Sequence, residues 1–162
     1  MRNRVLWAAA LLMLVVINIA IAHKERLIAQ GSTVLLALAP RDPRSLMQGD
    51  YMTLSYVLAD EIRAQVSTIS VDGQALIALD ERGVARFVRL HVPGAALAAH
   101  EQVLRFRKRG STVRLATDAF FFQEGQASHY SSAKYGELRV DAAGEAVLIG
   151  LRDEHLRPLG KL

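Results

Sequence analysis

The hydrophobic pattern of the chain changes character at Gly31. Before it, residues 5–22 (VLWAAALLMLVVINIAIA) form one apolar run in which Asn18 is the only polar side chain. At about 1.5 Å of rise per residue the run is about 27 Å long, close to a hydrocarbon core of roughly 30 Å. Arg2 and Arg4 precede it, and His23-Lys24-Glu25-Arg26 ends it with cationic stems that can snorkel. Trp7 suits the interfacial belt, and Asn18 could pair with another helix in lipid. The pattern predicts an N-terminal transmembrane helix. A cleaved signal peptide is the competing reading, because Ala20-Ile21-Ala22 has the A-x-A form. The run exceeds the usual apolar region of about 7–15 residues, and Leu27 and Ile28 carry the helical pattern past that point, which favours an uncleaved anchor.

After Gly31 the period shortens. Residues 33–39 (TVLLALA) read as a buried strand, stopped by Pro40. Asp42 and Pro43 suit the cap and first position of one helical turn over 43–47. Gly49-Asp50 is a turn signal, and residues 51–58 (YMTLSYVL) alternate as a half-buried strand should. A short helix is expected over 59–66 and a turn at Val71-Asp72-Gly73-Gln74. Hairpins are expected for 75–79 with 84–92, for 103–109 with 111–116, and for 137–140 with 146–151. Phe120-Phe121-Phe122 reads as core, residues 124–134 have mixed helical character, and residues 152–162 read as a polar tail. Together these elements predict a mainly β (α+β) fold. It is a small antiparallel β-barrel or sandwich with short helices, preceded by one N-terminal transmembrane helix. The expected division is an anchor and juxtamembrane helix over 1–30 and a β-rich extracytoplasmic domain over 31–162.

Composition narrows the function. The 162 residues are 51% hydrophobic and 22% charged, enough for one packed domain and against disorder. The net charge is +4, and half of that excess sits in Arg2 and Arg4. No stripe of cations interleaved with aromatics accompanies it, so no nucleic-acid partner is expected. Cysteine is absent, which excludes thiolate nucleophiles, thiolate metal sites and disulfides. The five histidines (His23, His91, His100, His129 and His155) show no metal-binding spacing, so no metal and no cofactor is expected. One strand face is strongly basic: Arg105, Arg107 and Arg109 alternate with Leu104, Phe106 and Lys108. It is either a solvated, salt-bridged face or a contact for anionic lipid or an acidic partner.

Catalytic patterns are weak. Leu46-x-x-Gly49-Asp50 resembles part of the signal-peptidase-like serine protease motif, but Arg41 stands where the nucleophile should be, and Ser45 is at the wrong spacing. A pair of Ser131 or Ser132 with Lys134 competes with a solvated face. No catalytic residue is assigned.

Gly49-Asp50-Tyr51, Leu54 and Tyr56 spell G-D-Y-x-x-L-x-Y. Five further stretches have the same texture: KERLIAQG (24–31), VLLALAPRDPRSLMQGDYM (34–52), AFFFQEGQ (119–126), YGELRVD (135–141) and GLRDEHLRPL (150–159). On these residues the chain resembles the GDYXXLXY protein family of bacterial membrane-anchored proteins. The resemblance implies a protein that works beside a polytopic membrane protein, and it supplies no catalytic residues. The expected motif residues are Asp42, Pro43, Gly49, Asp50, Tyr51, Leu54 and Tyr56, which either fix a turn and a strand or touch a partner. The resulting expectation is an accessory or interaction domain on the extracytoplasmic side of the cytoplasmic membrane, in contact with lipid and a polytopic partner. The alternatives are an envelope hydrolase with a site assembled in the fold, or a ligand-binding sensor.

Overall fold

The computed structural model describes residues 2–39, 47–48, 51–67, 70–92 and 94–161. In chain order the elements are α1 (Arg2–Gln30), β1 (Ser32–Ala37), β2 (Met47–Gln48), β3 (Tyr51–Thr53), α2 (Val57–Gln65), β4 (Ser70–Leu79), β5 (Ala85–Leu90), β6 (Glu101–Arg109), β7 (Thr112–Arg114), β8 (Ala119–Phe121), α3 (Ala127–Tyr130), β9 (Tyr135–Val140), β10 (Ala146–Arg152) and β11 (Pro158–Lys161). They make three sheets of order β1-β9-β10-β11, β2-β3-β8 and β5-β4-β6-β7, with antiparallel pairing inside each.

The expected fold class is corrected on two counts. The sheets are curled half-barrels rather than a closed barrel or a sandwich, joined by single links such as Leu35 N to Gly83 O (2.9 Å) and Arg105 N to Gly144 O (2.8 Å). Second, among the described residues no helix is long and apolar enough to cross a membrane, which overturns the expected transmembrane helix. Helix α1 runs for 29 residues, with the polar groups Asn3-Arg4 and His23-Lys24-Glu25-Arg26 on either side of the apolar run. Asn18 also interrupts the apolar stretch, and its amide donates to Leu14 O within the same helix (2.8 Å). The large apolar side chains along α1 are nonetheless exposed, Trp7 at 77%.

The core gathers Val34 and Leu36 of β1, Leu104 and Phe106 of β6, Phe120 of β8, Leu138 and Val140 of β9, Leu151 of β10, and Leu58 and Ile62 from one face of α2. Alternation within each strand sends these side chains to one side. The last turns of α1 join the domain, with Leu27 buried and Gly31 N donating to Leu27 O (2.8 Å).

Several local expectations are also corrected. Residues 71–74 are not a turn but part of the long strand β4. Gly73 lies beneath the Phe106 ring, where an added Cβ would come within 2.5 Å of ring carbon, so the glycine marks a close approach within a sheet. The strand expected over 51–58 stops at Thr53. Leu54 N donates to Asp118 O (2.7 Å), Tyr56 forms an isolated bridge with Leu38, and α2 starts at Val57. Of the three consecutive phenylalanines, Phe120 is buried, Phe121 is 67% exposed and Phe122 is half-buried, as a strand's alternation requires. Met47, expected to end a helical turn, begins β2, and the rest of that turn lies outside the described residues. The tail expected to be polar contains β11.

Candidate functional site

The exposed face of β6 is basic because its inward positions hold the apolar set. Arg105, Arg107 and Arg109 point to solvent, while Leu104 and Phe106 are buried. Lys108 is buried with them and donates its Nζ to Val66 O, with no ion-pair partner among the described residues. Opposite Arg107 on β4 stands Asp72, and Arg114 on β7 flanks it from the other side. Asp72 binds Arg109 (2.7 Å) and Arg107 (3.5 Å), and the hydrogen bond from Arg109 holds its carboxyl below the ordinary range. Arg114 binds Asp118 (2.6 Å).

This face is one wall of an open cleft of about 930 Å³. Lys24 of α1, Glu145 of the β9–β10 turn, His91 and Gln74 also line it. Glu145 is bonded by Lys24 and by His23 (3.0 Å), and the Lys24 contact is the larger cause of its lowered pKa. Two groups in the cleft are uncommitted. The guanidinium of Arg105 has no ion-pair partner among the described residues, and the buried Nδ1 of His91 has no hydrogen-bond partner there. The cleft can therefore receive an anionic group at Arg105, beside Lys24 and His91. The basic strand was visible in the alternation of its sequence. Lys24, Gln74, His91 and Glu145 were not, because only the sheet pairing brings α1, β4, β5 and the β9–β10 turn together.

The Ser–Lys candidate does not assemble. Ser131 Oγ donates to Ser128 O (2.7 Å) and Ser132 Oγ to His129 O (3.5 Å), both ordinary local turn bonds. Of the motif residues, Asp42, Pro43, Gly49 and Asp50 lie outside the described residues. Tyr51 is on the surface against Phe121 (ring centroids 5.6 Å apart), and Leu54 and Tyr56 are buried. Tyr51 and Tyr56 thus take opposite environments, Tyr51 on β3 and Tyr56 at the cap of α2. The Tyr56 Oη is buried and has no hydrogen-bond partner among the described residues. Burial raises its pKa above the ordinary value, and the nearby Asp118 charge adds to that. Asp118 links motif and cleft, since its backbone holds Leu54 and its carboxylate lines the cleft.

The sequence model described as GDYXXLXY protein matches residues 13–151, most of the chain. The chain belongs to the GDYXXLXY protein family. No curated protein and no solved structure matches it. In this GDYXXLXY protein the stretches that carry the family texture interlock. Tyr56 of the motif lies against Gly136 of YGELRVD, where an added Cβ would stand 3.1 Å from the Tyr56 ring. Glu137, next in that stretch, is buried and receives Arg152 Nε and Nη2 of GLRDEHLRPL, both at 2.9 Å. Arg152 Nη1 donates onward to Leu156 O (2.7 Å). Phe120 of AFFFQEGQ pairs with Met52 across β3–β8 and meets Tyr130 edge-on at 5.0 Å. These residues build a framework, and the cleft lies beside it.

Proposed function

We propose that this GDYXXLXY protein is an accessory subunit held at the outer face of the cytoplasmic membrane, where its cleft receives an acidic segment of a polytopic membrane protein. The observation that carries the reading is the position of Lys24. It stands directly after the exposed apolar part of α1 and also lines the cleft, so a lipid contact through α1 sets the cleft close to the membrane surface. An apolar helix surface of this extent needs an apolar environment, and lipid acyl chains are the partner of matching chemistry. In the cleft, Arg105 offers a guanidinium to a carboxylate of that segment, while Lys24, Arg107 and Arg114 are already paired with Glu145, Asp72 and Asp118 and would have to exchange partners to take part. Exposed pairs contribute only about 0.2–1 kcal/mol each, so such docking is reversible and gains chiefly in encounter rate and orientation.

The test is affinity purification of the full-length chain from native membranes at low and high salt. A specific multi-spanning protein should accompany it at low ionic strength and be released as screening shortens the Debye length from about 10 Å to about 3 Å. Recovery of the isolated chain at every salt concentration contradicts the reading.

A further inference from the structure

The β9–β10 turn carries two carboxylates that the cleft does not fully employ. Asp141 closes the turn, its Oδ1 accepting from Ala143 N (2.9 Å) and Glu145 N (2.8 Å). Its backbone completes the loop through Asp141 N to Glu145 O and Gly144 N to Asp141 O, both 3.0 Å. The carboxyl group is thereby fixed in direction, and its second oxygen has no hydrogen-bond partner among the described residues. Glu145 stands beside it. From the opposite side, α1 brings in His23, whose Nε2 is 3.0 Å from Glu145 Oε2. One ligand atom from each of His23, Asp141 and Glu145 falls within 4.8 Å of the others. Nothing in the histidine spacing announces this cluster, because His23 and Glu145 are 122 residues apart.

We propose that His23, Asp141 and Glu145 bind a divalent transition-metal ion of the zinc class, fastening the end of α1 to the β9–β10 turn. The donor set argues for that class. One imidazole nitrogen and two carboxylate oxygens, with a water in the fourth position, is a set that zinc accepts. Calcium and magnesium take six or more oxygens and gain little from a nitrogen ligand. Zinc bonds of about 2.0–2.2 Å place ligand atoms roughly 3.4 Å apart, so modest rotation of the exposed His23 and the half-buried Glu145 side chains closes the site. The neutral His23 ring, with its proton on Nδ1, turns the Nε2 lone pair to the ion. Lys24 is the resident competitor: its ammonium occupies Glu145 Oε1, and an incoming ion displaces it toward the cleft.

Lys24 also supplies the discriminating test. The full-length chain in detergent micelles is titrated calorimetrically with zinc chloride and, in parallel, with magnesium chloride. One saturable zinc site is expected, with no comparable magnesium site. His23→Ala, Asp141→Asn and Glu145→Gln should each weaken zinc binding by about tenfold or more. Lys24→Ala should tighten it, since the competing cation is gone. Zinc should raise the melting temperature of the wild-type chain and not that of His23→Ala, a substitution on an exposed helix face that leaves the domain core untouched. Absence of saturable zinc binding overturns the proposal. So does zinc binding that survives His23→Ala, or that weakens in Lys24→Ala.

Discussion

Glu137 and Asp72 are both carboxylates held by arginine, in opposite surroundings. Glu137 is almost wholly buried between β1 and β10, and Arg152 grips both its oxygens in a fork while also bonding Leu156 O. Its bonds to Glu137 raise the Arg152 pKa above the ordinary value. Asp72 lies in the open on β4, shared between two exposed arginines that water also solvates. The first arrangement ties β9 to β10 and the turn before β11, and losing one member strands a buried charge. The second holds a basic face in order and leaves the guanidinium groups accessible. Framework and contact surface are therefore separable by substitution.

The largest expected effect is Glu137→Ala. It leaves Arg152 partly buried without its counter-ion, which should lower stability by about 3 kcal/mol, read as a shift of the urea midpoint. Gly136→Ala comes next. The new methyl group would press on Tyr56 and Leu148, 3.1 and 3.2 Å away, at a cost of about 1–2 kcal/mol in the same measurement. Tyr56→Phe has the opposite sign. Its hydroxyl is buried without a partner, so removing it should raise stability by about 1 kcal/mol. A loss instead would reveal a hydrogen bond that the described residues do not supply. The smallest effect is Asp72→Asn, which should melt like the wild type and strengthen binding of an acidic partner by freeing Arg107 and Arg109.

Much of the framework was legible because its turns repeat a chemical device. Asp80 and Asp141 each accept two backbone N–H groups through one carboxylate oxygen, and each is followed three residues later by a glycine with positive φ, Gly83 and Gly144. Both hairpins were readable from that D-x-x-G spacing. A third turn has the same bonds, Asp153 accepting from His155 N and Arg157 N, but Leu156 occupies the glycine position at φ 63°. A leucine gives no turn signal, so β11 went unread. Gly73 misled in the other direction, since a glycine chosen for the Phe106 ring looks like a turn in one dimension. The apolar run of α1 was plain as a helix, whereas its reading as a membrane span over 5–22 is corrected, since among the described residues no helix is long and apolar enough to cross a membrane. The basic strand was readable from alternation, but the cleft and the His23 cluster come from tertiary pairing that no local pattern carries.

The central claim is that the cleft, and not the family motif framework, meets the partner. Arg105→Glu tests it most directly, because Arg105 is exposed, has no ion-pair partner among the described residues, and lies in the cleft. The variant and the wild-type full-length chain are purified in parallel from native membranes, and each is also melted. The account predicts an unchanged melting temperature with loss of the multi-spanning protein recovered alongside the wild type. Undiminished recovery of that protein with Arg105→Glu would contradict it.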